Sequence, residues 1–211
     1  RVIRRKVMQI RRQLEGVQVH RRLQRQGRRK SGVPVVALVG YTNAGKTTLL
    51  NRLAGAQLTA ADQLFVTLDP AARVVHPAGG RPFILTDTVG FIRKLPHELV
   101  AAFRATLEEI SDAGLLLHVV DASAPDYERR IAAVREVLRQ IGMEATPELL
   151  VFNQIDGLEP EAGAAIAARH GGVPVTALRR HGLTELVARA DAMLRETLAE
   201  RPPTPALAQG G

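Results

Sequence analysis

Gly40-Tyr41-Thr42-Asn43-Ala44-Gly45-Lys46-Thr47 is the stretch with the most chemistry in this sequence. It fits the spacing G-x-x-x-x-G-K-[ST] in full. Glycines at both ends allow a tight turn whose backbone N–H groups point inward, and a helix starting there adds its own unsatisfied N–H groups. Such a cradle takes phosphate. Lys46 can reach β- and γ-phosphates, and the Thr47 hydroxyl can ligate Mg²⁺. The expected phosphate contacts run from Gly40 through Thr48. The plainer reading is an ordinary glycine-rich turn between a strand and a helix.

Three further clusters follow at strand ends. In Asp87-Thr88-Val89-Gly90, the aspartate can hold Mg²⁺ through water and the glycine N–H can meet a γ-phosphate. D-x-x-G is common by chance, so its weight lies in its place downstream of the phosphate loop. In Asn153-Gln154-Ile155-Asp156, the last carboxylate can accept both the N1–H and N2–H₂ of guanine. Adenine has no such pair of donors, so Asp156 selects guanine. In Thr176-Ala177-Leu178, the Ala177 N–H can meet the guanine O6.

These residues need a sheet to hold them. Short apolar runs predict strands near 33–40, 72–76, 81–87, 114–122, 147–153 and 173–178, and helical spacing predicts helices near 46–54, 97–111, 125–141, 160–170 and 182–200. Alternation of strand and helix predicts an α/β fold of the P-loop class: a six-stranded, mostly parallel sheet with helices on both faces. The short link His76-Pro77-Ala78-Gly79-Gly80 can only make a hairpin, hence one antiparallel edge strand. The organisation expected is a basic helical arm over 1–32, a nucleotide domain over 33–200 and a disordered tail over 201–211.

The arm carries the charge. Residues 1–30 hold twelve Lys/Arg and one acid, Glu15, a net of +11; the whole chain is +8, so the remainder is −3. Ile3, Val7, Ile10, Leu14 and Val17 repeat as a seam before Arg21 and Gln24 break it. Two readings stay open: a helix whose seam packs on an upstream helix, or one whose arginines also contact RNA phosphates. The absence of cysteine excludes disulfides, thiolate metal sites and thiol catalysis, and leans towards a reducing compartment. No apolar run reaches the roughly 18–20 residues of a membrane span. No signal-peptide pattern opens the chain, which begins at Arg1 and reads as a piece of something longer. The scattered histidines suggest no transition-metal site; His118 reads as a satisfied core histidine, and His97 as part of a helix start.

The order of these motifs resembles that of translation-factor-class GTPases, and more specifically the HflX family. The stretches that carry the resemblance are the phosphate loop, Ala61-Asp62-Gln63-Leu64-Phe65-Val66-Thr67-Leu68-Asp69-Pro70, Leu85-Thr86-Asp87-Thr88-Val89-Gly90-Phe91-Ile92-Arg93, and the run from Leu95 to Glu109. It extends from residue 1 to about residue 200. The resemblance implies an Mg²⁺-dependent GTPase that binds GTP and GDP, acts on the large ribosomal subunit and its rRNA, and splits or rescues ribosomes; a cytoplasmic monomer is the expectation. It also implies a first switch over Phe65, Val66, Thr67, Leu68 and Asp69, with Thr67 closing on Mg²⁺ and the γ-phosphate. Lys46, Thr67 and Gly90 would be the catalytic set, and Thr47, Thr67 and Asp87 the metal set. Residues 1–30 match the family's basic helical linker; its N-terminal domain is not in this sequence.

Three positions qualify that reading. Phe91 stands where signalling GTPases place a water-orienting Gln, so intrinsic hydrolysis should be slow and partner-stimulated. Gln154 stands where the family has Lys, which bears on affinity more than on base choice. Asn43 matches an Asn that binds K⁺ in potassium-activated GTPases; the alternative is an Asn that merely braces the loop. Two rival functions are a GTP/GDP-binding module with negligible hydrolysis and a ribosome-assembly GTPase.

Overall fold

A computed structural model describes residues 32–54, 72–88, 111–159 and 161–200. Six strands form one sheet in the order β2-β3-β1-β4-β5-β6. They are β1 (Val35–Gly40), β2 (Ala72–Val75), β3 (Phe83–Thr86), β4 (Leu115–Asp121), β5 (Glu148–Asn153) and β6 (Val173–Pro174). The pairs β1–β3, β1–β4, β4–β5 and β5–β6 are parallel. The pair β2–β3 is antiparallel, as the five-residue link predicted. Helices α1 (Lys46–Ala54), α2 (Tyr127–Gln140), α3 (Ala162–Arg169) and α4 (Leu183–Glu200) cover the two faces.

The strand sequences explain why the sheet is buried on both sides. Every residue of β1 is buried, as are Leu115 to Val120 of β4. Their side chains alternate between faces, so each face receives its own apolar row. On one face Val36, Leu38, Leu115, Leu117 and Val119 meet Leu49 and Leu50 of α1 and Leu186, Ala190 and Leu194 of α4. On the other, Ala37, Val39 and Leu116 meet Val134 and Leu138 of α2. Val120, Leu150 and Phe152 continue that face against Ile131 and Ala167. Emptying one such position, Leu117→Ala for instance, would cost about 2–5 kcal/mol.

The parallel pairing places the C-terminal ends of β1, β3, β4, β5 and β6 at one rim, where the motifs lie. One boundary differs from expectation. The sixth strand covers Val173–Pro174, not 173–178. Beyond Pro174 one ladder bond remains, from the Val175 N–H to Phe152 O at 2.8 Å. Thr176 then pairs with His181 instead of β5, closing a loop over 177–180. Gly182, at φ +74°, turns the chain into α4, and a side chain there would collide with Pro174 O. The predicted helix 97–111 lies outside the described residues except for Ser111, which is in a turn. The arm, the tail and the first switch lie outside them too.

Candidate nucleotide site

The phosphate loop joins β1 to α1, as its flanking residues predicted. Its two glycines have separate reasons. Gly40 passes so close to β4 that a Cβ would strike Val119 O. Gly45 takes φ +90°, and a Cβ there would strike the Asn153 amide nitrogen. Only glycine meets both demands.

Lys46 opens α1 and is buried, with 6% exposure. Its Nζ donates to Gly40 O at 3.1 Å and Tyr41 O at 2.9 Å, so the ammonium lies inside the curve of the loop. Burial lowers its pKa to about 8, partly opposed by the nearby Asp87 carboxylate. A phosphate arriving at the loop would meet a cation already in place. Next to it, Thr47 Oγ1 donates to Asp87 Oδ2 at 2.7 Å, tying the first turn of α1 to the end of β3. A hydroxyl and a carboxylate are hard oxygen donors, and their convergence beside a phosphate loop fits Mg²⁺. Among the described residues there is no group of three or more His, Asp or Glu placed to hold a metal unaided. Thr88 is also drawn in, but its hydroxyl donates to Leu38 O at 2.6 Å and anchors β3 to β1.

The base side is built around Asn153. Its Nδ2 donates to Ala44 O at 2.9 Å, and its Oδ1 accepts from the Ala177 N–H at 3.0 Å. One buried amide therefore joins the phosphate loop, the end of β5 and the 176–181 loop. The Ala177 N–H, read from sequence as a guanine O6 donor, is engaged by Asn153 in this structure. Gln154 takes the left-handed conformation at φ +63° and its Nε2 donates to Asn43 O at 3.1 Å. The neutral amide thus makes a phosphate-loop contact of its own. Ile155 and Asp156 follow in a single 3₁₀ turn, and Leu178 is exposed beyond Ala177. Asn43, at φ +61°, contributes its backbone carbonyl to Gln154.

Two arginines at this rim were not singled out by sequence. Arg130 of α2 stacks over the Tyr41 ring at 5.3 Å and pairs with Asp126 at 2.7 Å. Arg179 pairs with Asp156 at 3.4 Å. The Arg130–Asp126 pair is local, four residues apart, but the contacts to Tyr41 and Asp156 link segments that only the fold brings together. Phe65, Val66, Thr67, Leu68, Asp69, Val89 and Gly90 lie outside the described residues, as do Phe91, Arg93, Lys94 and His97.

His118 is a core residue, as expected. It is buried in β4, with Nδ1 at 2.6 Å from Glu148 Oε1. Arg135 donates to the other oxygen of Glu148 at 2.8 Å. Burial lowers the His118 pKa despite the carboxylate. The cluster joins β4 and β5 to Arg135 of α2.

A mostly parallel sheet with a phosphate loop at its first strand defines a P-loop nucleotide-binding domain. Residues 35–154 match the family described as 50S ribosome-binding GTPase. The chain belongs to that family. It is similar to proteins named GTPase HflX: 55% identical over 159 residues to that of Caldanaerobacter subterraneus and 53% over 159 residues to that of Escherichia coli K12. Each match covers 75% of this chain and 37% of the relative. The match to the Lacrimispora saccharolytica protein reaches 92% of this chain, at 44% identity, and 46% of the relative. The chain thus spans less than half the length of these relatives. Among solved structures, a GTP-binding protein from Sulfolobus solfataricus in complex with GDP is similar at TM-score 0.63 and 28% identity, over 83% of this chain and 57% of the other. Era in complex with MgGDPNP and nucleotides 1506–1542 of 16S ribosomal RNA is similar at TM-score 0.59 and 26% identity, over 76% and 56%. The HflX resemblance read from the sequence is borne out.

Proposed function

We propose that this chain is a guanine-nucleotide switch that hydrolyses GTP to GDP and phosphate and, with GTP bound, engages the large ribosomal subunit to split or rescue ribosomes. The observation that carries the reading is the meeting of Lys46, Thr47 and Asp87 at the rim of β1 and β3, in a chain of this family. Lys46 and the loop N–H groups would bind the β- and γ-phosphates and oppose the charge that develops as the γ-phosphoryl group leaves. Mg²⁺, held by Thr47 and Asp87 and in the GTP form by Thr67, would screen the phosphate oxygens. Water adds to the γ-phosphorus as the bond to the bridging oxygen breaks. Phe91 cannot take or orient that water's proton, so turnover by the chain alone is slow. Asp156 would read guanine. The proposed mechanism does without a potassium ion beside Asn43.

Ordering of the segments around Thr67 and Gly90 by the γ-phosphate would couple nucleotide state to the ribosome. The basic residues of 1–32 would add contacts to rRNA phosphates, as a linker to a further domain. With a ribosomal partner, the protein would act in the cytoplasm. Among the described residues, no helix is long and apolar enough to cross a membrane.

Sedimentation with purified subunits tests the reading. Binding to large subunits should be stronger with a non-hydrolysable GTP analogue than with GDP, and should weaken with salt. Preference for small subunits would favour the assembly-factor alternative, for which the likeness to Era is the supporting observation. Equal binding in both nucleotide states would remove the switch.

A further inference from the structure

Asp156, the carboxylate proposed to read guanine, already has a cationic neighbour. Arg179 Nε lies 3.4 Å from Asp156 Oδ2. The two residues sit on different loops, and both loops are fixed. Asp156 lies in the single turn that follows Asn153 and Gln154. Arg179 lies in the loop closed by the Thr176–His181 bridge, and its own N–H donates to Thr176 O at 3.1 Å. That loop is pinned to Asn153 through the Ala177 N–H. The ion pair therefore spans a gap of set width, between two backbone segments held by the same buried amide.

We infer that Arg179 is a positioning residue for base recognition: it holds the Asp156 carboxylate in the orientation that accepts both guanine donors. The inference rests on the guanine reading of Asp156. Arg179 need not compete with the base. Each carboxylate oxygen has two lone pairs, so Oδ2 can accept from Arg179 and from guanine together. The Arg179 side chain is three-quarters exposed and the Asp156 side chain 29% exposed, which leaves part of the carboxylate open. Without Arg179 the carboxylate turns more freely about its side-chain bonds, and a two-pronged contact suffers more than a one-pronged one. Guanine needs both oxygens. Hypoxanthine, which lacks the N2 amino group, needs one.

The experiment compares GDP and IDP binding by calorimetry for the 211-residue chain and three variants. Arg179→Ala should weaken GDP about threefold, in line with an exposed ion pair, and leave IDP nearly unchanged. The GDP-to-IDP preference then narrows by the same factor, Arg179→Lys recovers part of it, and high salt brings parent and Arg179→Ala together. Thermal unfolding without nucleotide should be unaltered. Asp156→Asn is the control for the underlying reading and should weaken GDP by tenfold or more. An Arg179→Ala chain with unchanged or tighter GDP binding, or with GDP and IDP weakened equally, overturns the role of Arg179 while leaving Asp156 intact. An Asp156→Asn chain that binds GDP like the parent overturns the base reading itself.

Discussion

The Asn153 amide nitrogen occupies the space where a side chain on residue 45 would begin. Gly45 is bare because Asn153 reaches past it to Ala44 O, 2.9 Å away. The same side chain holds Ala177 from its other end. Phosphate loop and base loop are thus joined through one buried residue, and their spacing is set before any nucleotide binds.

Two variants separate the halves of that link. Gly45→Ala would collide with Asn153 and would also have to adopt a left-handed backbone, at a cost of about 2 kcal/mol or more. Asn153→Asp keeps the acceptor for Ala177 but loses the donor to Ala44, a buried hydrogen bond whose loss costs about 1–3 kcal/mol. GDP affinity should fall roughly tenfold or more in both, with a lower unfolding temperature. Parent-like affinity in Asn153→Asp would show that the loops keep their spacing without the amide.

Gln154→Lys should change less than the loss of a charged residue suggests. The Gln154 amide already reaches Asn43 O at 3.1 Å. A lysine there adds a charge at an exposed position, worth about 0.5 kcal/mol. GDP and GTP should both tighten about twofold, with saturated turnover unchanged. A large rise in turnover would mean that this position acts on the γ-phosphate side.

The base assignment gives a change of substrate. Asp156→Asn should disfavour GTP and favour xanthosine triphosphate, whose 2-position is a carbonyl that the new amide can meet as donor. Competition between the two nucleotides on one filter-binding curve measures it. Retained preference for GTP would count against Asp156 as the reader.

Acid should weaken the fold through His118. Burial holds its folded pKa below the ordinary value near 6.5, despite Glu148; Arg135 and Lys46 add to the lowering. A depressed histidine leaves the folded state binding fewer protons than the unfolded state. Its contribution is therefore present above the ordinary histidine value near 6.5 and is progressively lost as pH falls below it. Glu148 is pushed up by burial, but its bonds to His118 and Arg135 outweigh that and leave its pKa lowered, so its own effect begins at lower pH. Urea unfolding at pH 7.5 and 5.5 should show the loss in the parent and less of it in His118→Gln. An equal loss in both would assign the acid sensitivity elsewhere.

Sequence made the phosphate loop legible because one local pattern sets both chemistry and position: an apolar strand, two glycines and a helix start. Asp87 and Asn153 were legible as polar residues ending buried strands. The roles of Thr88 and Ala177 were less so. Their hydrogen bonds run to Leu38 O and Asn153 Oδ1, partners fixed by strand order and not by neighbouring residues. Arg130 and Arg179 gave no signal, since Tyr41 and Asp156 meet them only across loops from other strands. The short sixth strand was misjudged because the apolar run Val173 to Leu178 continues past the point where Thr176 turns to His181.

Phosphate release from GTP by the purified chain, with and without large ribosomal subunits and in the presence of Mg²⁺, tests the central claim most directly. Slow release alone and a clear acceleration by large subunits, lost in Lys46→Ala, is the expected result. No release above the Lys46→Ala background, with or without subunits, would contradict it and leave a module that binds the nucleotide without hydrolysing it.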